Sequence, residues 1–143
     1  MSEDPFNLRR FVDAQEDAAI YVRALGELRA GRKQSHWIWF VFPQIAGLGS
    51  SPMSQAYAIR SLDEARAYLA HPVLGPRLRE STEALLSTDP AASAEQVLGG
   101  IDAIKVRSSM TLFHRAAPEE RPFTDLLDRF YGGEVDPETE RRL

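Results

Sequence analysis

Lys33-Gln34-Ser35-His36-Trp37-Ile38-Trp39-Phe40-Val41-Phe42-Pro43-Gln44 is the stretch whose conformation decides the fold. It holds both tryptophans and two of the seven phenylalanines of the chain, set between polar residues. A buried Trp or Phe removes a large apolar area from water, so a block this dense belongs in a core or along a pocket wall. Aromatic and β-branched residues between Ser35 and Pro43 read as a buried strand as readily as a helix. The rest of the chain offers no convincing second strand, and a lone strand would leave backbone donors and acceptors unpaired in the core. The block is therefore expected to form a short buried helix. Trp37, Phe40, Val41 and Gln44 would then share a face, with His36 one turn from Phe40.

On either side of the block the helical signals are local and strong. Asp4 before Pro5 reads as an N-cap with proline at the first helical position, followed by Leu8, Phe11 and Val12 on one face. Tyr21, Ala24, Leu25 and Leu28 repeat at helical spacing and stop at Gly31. Ser51-Pro52 and Ser61 are further starts, the second opening a helix over 62–70 that His71-Pro72 ends. Leu74, Leu78, Ser81 and Leu85 mark a longer amphipathic helix, and Ser93 caps a turn over 94–98 before Gly99-Gly100. Ala103, Val106, Met110 and Phe113 line one side of 101–116. Phe123, Leu126, Leu127 and Phe130 repeat up to Gly132-Gly133, and Asp136-Pro137 opens a last turn. With no repeat period and no linker, residues 1–143 are expected to form a single compact all-α domain of about seven short helices.

Composition excludes several classes of function. The 143 residues contain no cysteine, which removes disulfide frameworks and thiolate sites and suits a reducing compartment. The first residues lack the pattern of a signal peptide, and the apolar run 37–43 is far too short to span a bilayer, so a soluble cytoplasmic protein is expected, with no membrane partner. A net charge of -4 argues against nucleic acid as a partner. Three histidines without ligand spacing give no metal site, and no cofactor is expected. Gly47-Leu48-Gly49 is half a dinucleotide fingerprint, with Pro52 where the last glycine should stand and no strand before it. Ser50 and Ser51 lack a nucleophile elbow.

Two segments retain functional candidates. In 33–44, His36 and Gln44 place hydrogen-bonding atoms beside a large apolar surface, and such groups need either partners or a ligand. Trp39 could stack on a planar ligand as well as fill the core. In 102–113, a helical arc brings together Asp102, Lys105, Ser108 and Ser109 with the apolar Ile101 and Leu112, so an ammonium and two hydroxyls could meet an anionic group. The structural alternative is an Asp102–Lys105 ion pair with Ser109 bonded back to its own helix. If the two segments meet, they would form a small-molecule site. His36 is its candidate catalytic acid or base, Gln44 orients, Lys105 holds an anion, and a nucleotide-like ligand suits the lining. If they are purely structural, the protein is an interaction module that docks a protein partner.

Residues 35–44, Gly47-Leu48-Gly49, Glu64-Ala65-Arg66-Ala67-Tyr68-Leu69, His71-Pro72-Val73-Leu74-Gly75 and Ser108-Ser109-Met110-Thr111-Leu112-Phe113 resemble the bacterial family catalogued as domain of unknown function 1810. The resemblance covers nearly the whole chain. It implies an all-helical fold wound into a right-handed superhelical arrangement, and it brings no established activity. Some members carry a calpastatin label, but calpastatin-type inhibitors are disordered and this chain has the pattern of a core.

Overall fold

The computed structural model describes residues 4–143. Within them lie α1 (Arg9–Glu16), α2 (Ile20–Arg29), α3 (Ile38–Val41), α4 (Pro52–Ala56), α5 (Leu62–Ala70), α6 (Leu74–Leu86), α7 (Ala94–Leu98), α8 (Gly100–Ala116), α9 (Arg121–Tyr131) and α10 (Pro137–Arg141). The all-helical class is as the sequence predicts. The number of segments exceeds seven because α3, α4, α7 and α10 are single turns. No helix among the described residues is long and apolar enough to cross a membrane.

Most boundaries follow from side chains adjacent in sequence. The Ser61 hydroxyl accepts from the Glu64 N–H (3.0 Å) at the start of α5. Ser93 and Gln96 form a reciprocal capping box on α7. Asp136 accepts from the Thr139 N–H (3.2 Å) on α10. Asp4 does cap, though not where expected. Its two carboxylate oxygens accept from Leu8 N–H (2.7 Å) and Arg9 N–H (2.9 Å), so the first helix begins at Arg9 rather than at Pro5. Residues 5–7 form a turn instead, with Asn7 in the left-handed region at φ 52°.

One continuous core runs from Leu8 to Leu127, and α8 lies against α5, α7, α9 and α10. Tyr21, Ala24, Leu25 and Leu28 of α2, and Ala103, Val106, Met110 and Phe113 of α8, are all buried. Phe11, Tyr68, Phe113 and Phe123 stack through it with ring centroids 5.1–6.0 Å apart.

The aromatic block is partly a helix and partly an extended segment. Only Ile38–Val41 forms a turn, with Trp37 at its N-cap. Beyond it, the Gln44 carbonyl accepts from the Ile59 N–H (2.8 Å) and the Ala46 N–H donates to the Ile59 carbonyl (2.7 Å), an isolated parallel bridge between Ile45 and Ile59. Gln44 therefore sits on extended backbone, not on a helical face shared with Trp37 and Phe40. The partner that sequence lacked is supplied by two backbone bonds to one residue, too few to leave a strand pattern.

Candidate functional site

A four-residue helix leaves nearly all its backbone groups without intrahelical partners, so α3 must be held from outside. Gln15, buried in α1, donates from Nε2 to the Phe40 carbonyl (2.7 Å) and receives Arg77 on Oε1 (3.2 Å). Tyr68 places its hydroxyl 3.5 Å from the same carbonyl. These contacts fix the end of α3.

Its approach is fixed by Glu27, in the last turn of α2. One carboxylate oxygen accepts from Gln34 N–H (2.7 Å), Ser35 N–H (3.0 Å) and the Trp37 indole N–H (2.9 Å), and the other accepts from the Ser35 hydroxyl. Burial alone would raise the Glu27 carboxyl, but the Ser35 hydroxyl, the two backbone N–H groups and the Trp37 indole outweigh it and hold the pKa at about 2. An anion at a helix C-terminus opposes the helix dipole. That misplaced charge was the sequence signal for Glu27.

Lys33 then joins the two predicted segments. Its ammonium pairs with Asp102 of α8 at 2.8 Å, donates to the Ser35 carbonyl (2.6 Å) and lies 4.9 Å from the centre of the Trp37 ring. Its backbone N–H donates to the Val97 carbonyl (2.7 Å). Asp102 is thus taken by Lys33, not by Lys105, and the expected Asp102–Lys105 pair does not form.

Lys105 is left with no carboxylate within ion-pair distance among the described residues. Half-buried, it holds its ammonium 5.3 Å from the centre of the Trp39 ring. Among the described residues the Trp39 indole N–H beneath is buried with no hydrogen-bond partner, and so is the hydroxyl of Ser109, one turn along α8 on the same arc. Lys105 thus lies over Trp39, with Ser109 one turn further along α8, and the ammonium, the indole N–H and the hydroxyl have no hydrogen-bond partner among the described residues. Such groups are uncommon in buried positions because each lost hydrogen bond costs about 1–3 kcal/mol.

The other candidates are placed differently. Ser108 is within hydrogen-bond reach of Asp136 (2.9 Å) and the Ile104 carbonyl (3.2 Å), tying α8 to the cap of α10. His36 is exposed and makes no hydrogen bond or ion pair among the described residues. Gln44 is half-buried, and its side chain likewise has no hydrogen-bond partner among them. No group of three or more His, Cys, Asp or Glu among the described residues could hold a metal ion.

Two clefts lie elsewhere and were not foreseen. One of about 860 Å³ runs between the start of α1 and the end of α5, along Phe6, Leu8, Val12, Ala67 and His71. A second of about 410 Å³ adjoins it around Asn7, Arg10, Gln55 and Glu64. Several polar groups that line them are already engaged. Asp4 caps α1, and Arg10 pairs with Glu64 at 2.8 Å while donating to the Phe6, Asn7, Ala56 and Ala58 carbonyls. His71 accepts on Nδ1 from Val73 and Leu74 N–H.

A family model described as protein of unknown function (DUF1810) matches residues 5–143. The chain belongs to this family. Both segments that carry the candidate residues lie inside the DUF1810 match. The chain is also similar to the crystal structure of the conserved hypothetical protein Rv1873 from Mycobacterium tuberculosis. The two are 51% identical, the match covers 98% of each chain, and the TM-score is 0.94. No curated protein matches the chain. The DUF1810 description and that of its structural neighbour name no activity.

Proposed function

We propose that the protein binds a small anionic ligand where Trp39, Lys105 and Ser109 meet. One observation carries this reading: a half-buried ammonium without a carboxylate partner among the described residues, set over an indole ring beside two buried, unpaired donors. An anion there would meet a charge-assisted donor and neutral ones together, the combination that makes hydrogen bonds to phosphate or carboxylate strong. Binding is better supported than catalysis, because a general acid or base is ordinarily held by an orienting group and His36 has none among the described residues. With no cysteine and no spanning helix among the described residues, we place this binding role in the cytoplasm.

Thermal unfolding of the wild type and Lys105→Ala, each with AMP, inorganic phosphate or benzoate, tests the reading. A ligand at a hundred times its Kd stabilises the folded state by about 2.7 kcal/mol, a shift of several degrees in Tm. At least one of the three is expected to produce that shift in the wild type. Lys105→Ala should lose it while unfolding alone within a few degrees of the wild type, since a cation–π contact near the surface is worth about 0.5–1 kcal/mol. No shift with any probe, or an equal shift in the variant, contradicts the proposal.

A protein-interaction role for the same surface rests on one observation, the exposure of Ile101 (73%) and Ile104 (67%). A Ile104→Ser change that abolishes capture of a defined partner while leaving every ligand shift intact would favour it.

A further inference from the structure

Granted the anion site at Trp39, Lys105 and Ser109, on which this inference rests, its surroundings also constrain the ligand. Three cations lie along the segment 33–44 and the first half of α8: Lys33, Lys105 and Arg107. Lys33 is neutralised by Asp102 at 2.8 Å. Arg107 donates to the Glu134 (3.0 Å) and Val135 (2.8 Å) carbonyls and lies 3.8 Å from the Glu134 carboxylate. Of the three, Lys105 alone has no carboxylate within ion-pair distance among the described residues, so the site offers one positive charge, and a second negative charge on a ligand would be desolvated without a partner. The net charge of the chain, -4, further disfavours polyanions.

The neighbours of Lys105 on the open side of α8 are apolar. Ile101 stands one turn before it, and Ile104 stands three residues after Ile101, so Ile101 adjoins both side chains on the helix surface. These isoleucines are 73% and 67% exposed, whereas the rest of the α8 apolar side is buried. An ammonium at the edge of a bare apolar strip suits a molecule with one charged end and a water-avoiding body.

We propose that the ligand of this site is an apolar carboxylic acid. Its carboxylate takes the Lys105 ammonium, and its body lies across Ile101 and Ile104. Aliphatic and aromatic acids share this chemistry, and decanoate and 1-naphthoate separate them. Polar nucleotides are disfavoured, since a ribose laid on the isoleucines would lose its hydration without finding partners.

The two tryptophans of the uniformly 15N-labelled chain give two indole N–H signals, and Trp39→Phe identifies which belongs to Trp39. Titration with decanoate, 1-naphthoate or AMP is then read at that signal, with Trp37, fully buried and bonded to Glu27, as the internal reference. At least one carboxylate is expected to shift the Trp39 signal saturably and to bind about tenfold or more tighter than AMP. Lys105→Ala should abolish that shift. Ile104→Ser, at a site open to solvent, should weaken the carboxylates about tenfold and leave the weaker AMP titration unchanged. AMP binding as tightly as either carboxylate, or indifference to Ile104→Ser, overturns the carboxylic-acid proposal and leaves the anion site standing. Equal carboxylate binding by Lys105→Ala also overturns it, as mere adsorption to the isoleucines. If none of the three probes moves the Trp39 signal, both readings fall.

Discussion

Gly75→Ala is expected to destabilise the protein by about 3 kcal/mol, lowering Tm by roughly 10 °C. A Cβ at Gly75 would stand 2.1 Å from the Leu69 carbonyl oxygen and 2.9 Å from its carbon, backbone atoms near the end of α5 that cannot swing aside. Alanine could be accommodated only by separating α5 from α6. That would disturb Tyr68, whose hydroxyl lies against the Phe40 carbonyl at the end of α3. The sign makes the test sharp, because Gly→Ala inside a helix ordinarily gains up to about 1 kcal/mol. Gly26 of α2, with nothing within 4 Å of an added Cβ, should show that ordinary gain. Urea midpoints of the two variants, displaced in opposite directions from the wild type, are the expected outcome. A neutral Gly75→Ala would mean that α5 and α6 are not so closely packed.

Glu27→Gln is expected to cost about 2–4 kcal/mol. The carboxylate receives four donors, and an amide in its place turns an NH2 group toward some of them. The loss should be pH-dependent, with a determined sign. The Glu27 pKa is depressed in the folded protein, from 4.5 to about 2. Its contribution is therefore complete above about 4.5 and is lost as pH falls from there toward 2. The full linkage would be about 3 kcal/mol, and partial contact with water reduces it to about 2 kcal/mol. Denaturation curves of wild type and Glu27→Gln at pH 7 and pH 3 should lie farther apart at pH 7. Because Glu27 holds residues 34–37, the variant should also disturb the Trp37 indole signal and any binding at Trp39.

How legible these elements were depends on how local their causes are. The caps Ser51, Ser61, Ser93 and Asp136 and the glycine stop after α2 act within a few residues, and each could be read from spacing. The apolar stripes of α2, α6, α8 and α9 could be read too, since helical period and burial agree there. Asp4 was recognisable as a cap, but the left-handed turn at Asn7 moved the helix it serves. The conformation of 37–46 was not readable, because it is imposed from a distance by Gln15 on Phe40, Glu27 on 34–37 and Ile59 on 44–46.

The site shows the same division. That 33–44 and 102–113 matter was visible in the crowding of aromatic and polar side chains. That Lys33 rather than Lys105 takes Asp102 was not, since helical spacing favours the nearer partner and only the tertiary fold brings Lys33 to α8. That exchange frees the Lys105 ammonium. His36 and Gln44 drew notice through residue type alone, and the fold gives their side chains no hydrogen-bonding partner among the described residues.

On the proposed reading an anion belongs at Trp39, Lys105 and Ser109, not in the cleft between α1 and α5. The most direct measurement is a crystal structure of the protein with whichever probe gives the largest thermal shift. Density for its carboxylate or phosphate is expected within about 3.5 Å of the Lys105 Nζ, with that ammonium drawn from the face of the Trp39 ring. Density in the cleft along Phe6, Val12 and His71, with Lys105 still resting on Trp39, would contradict it.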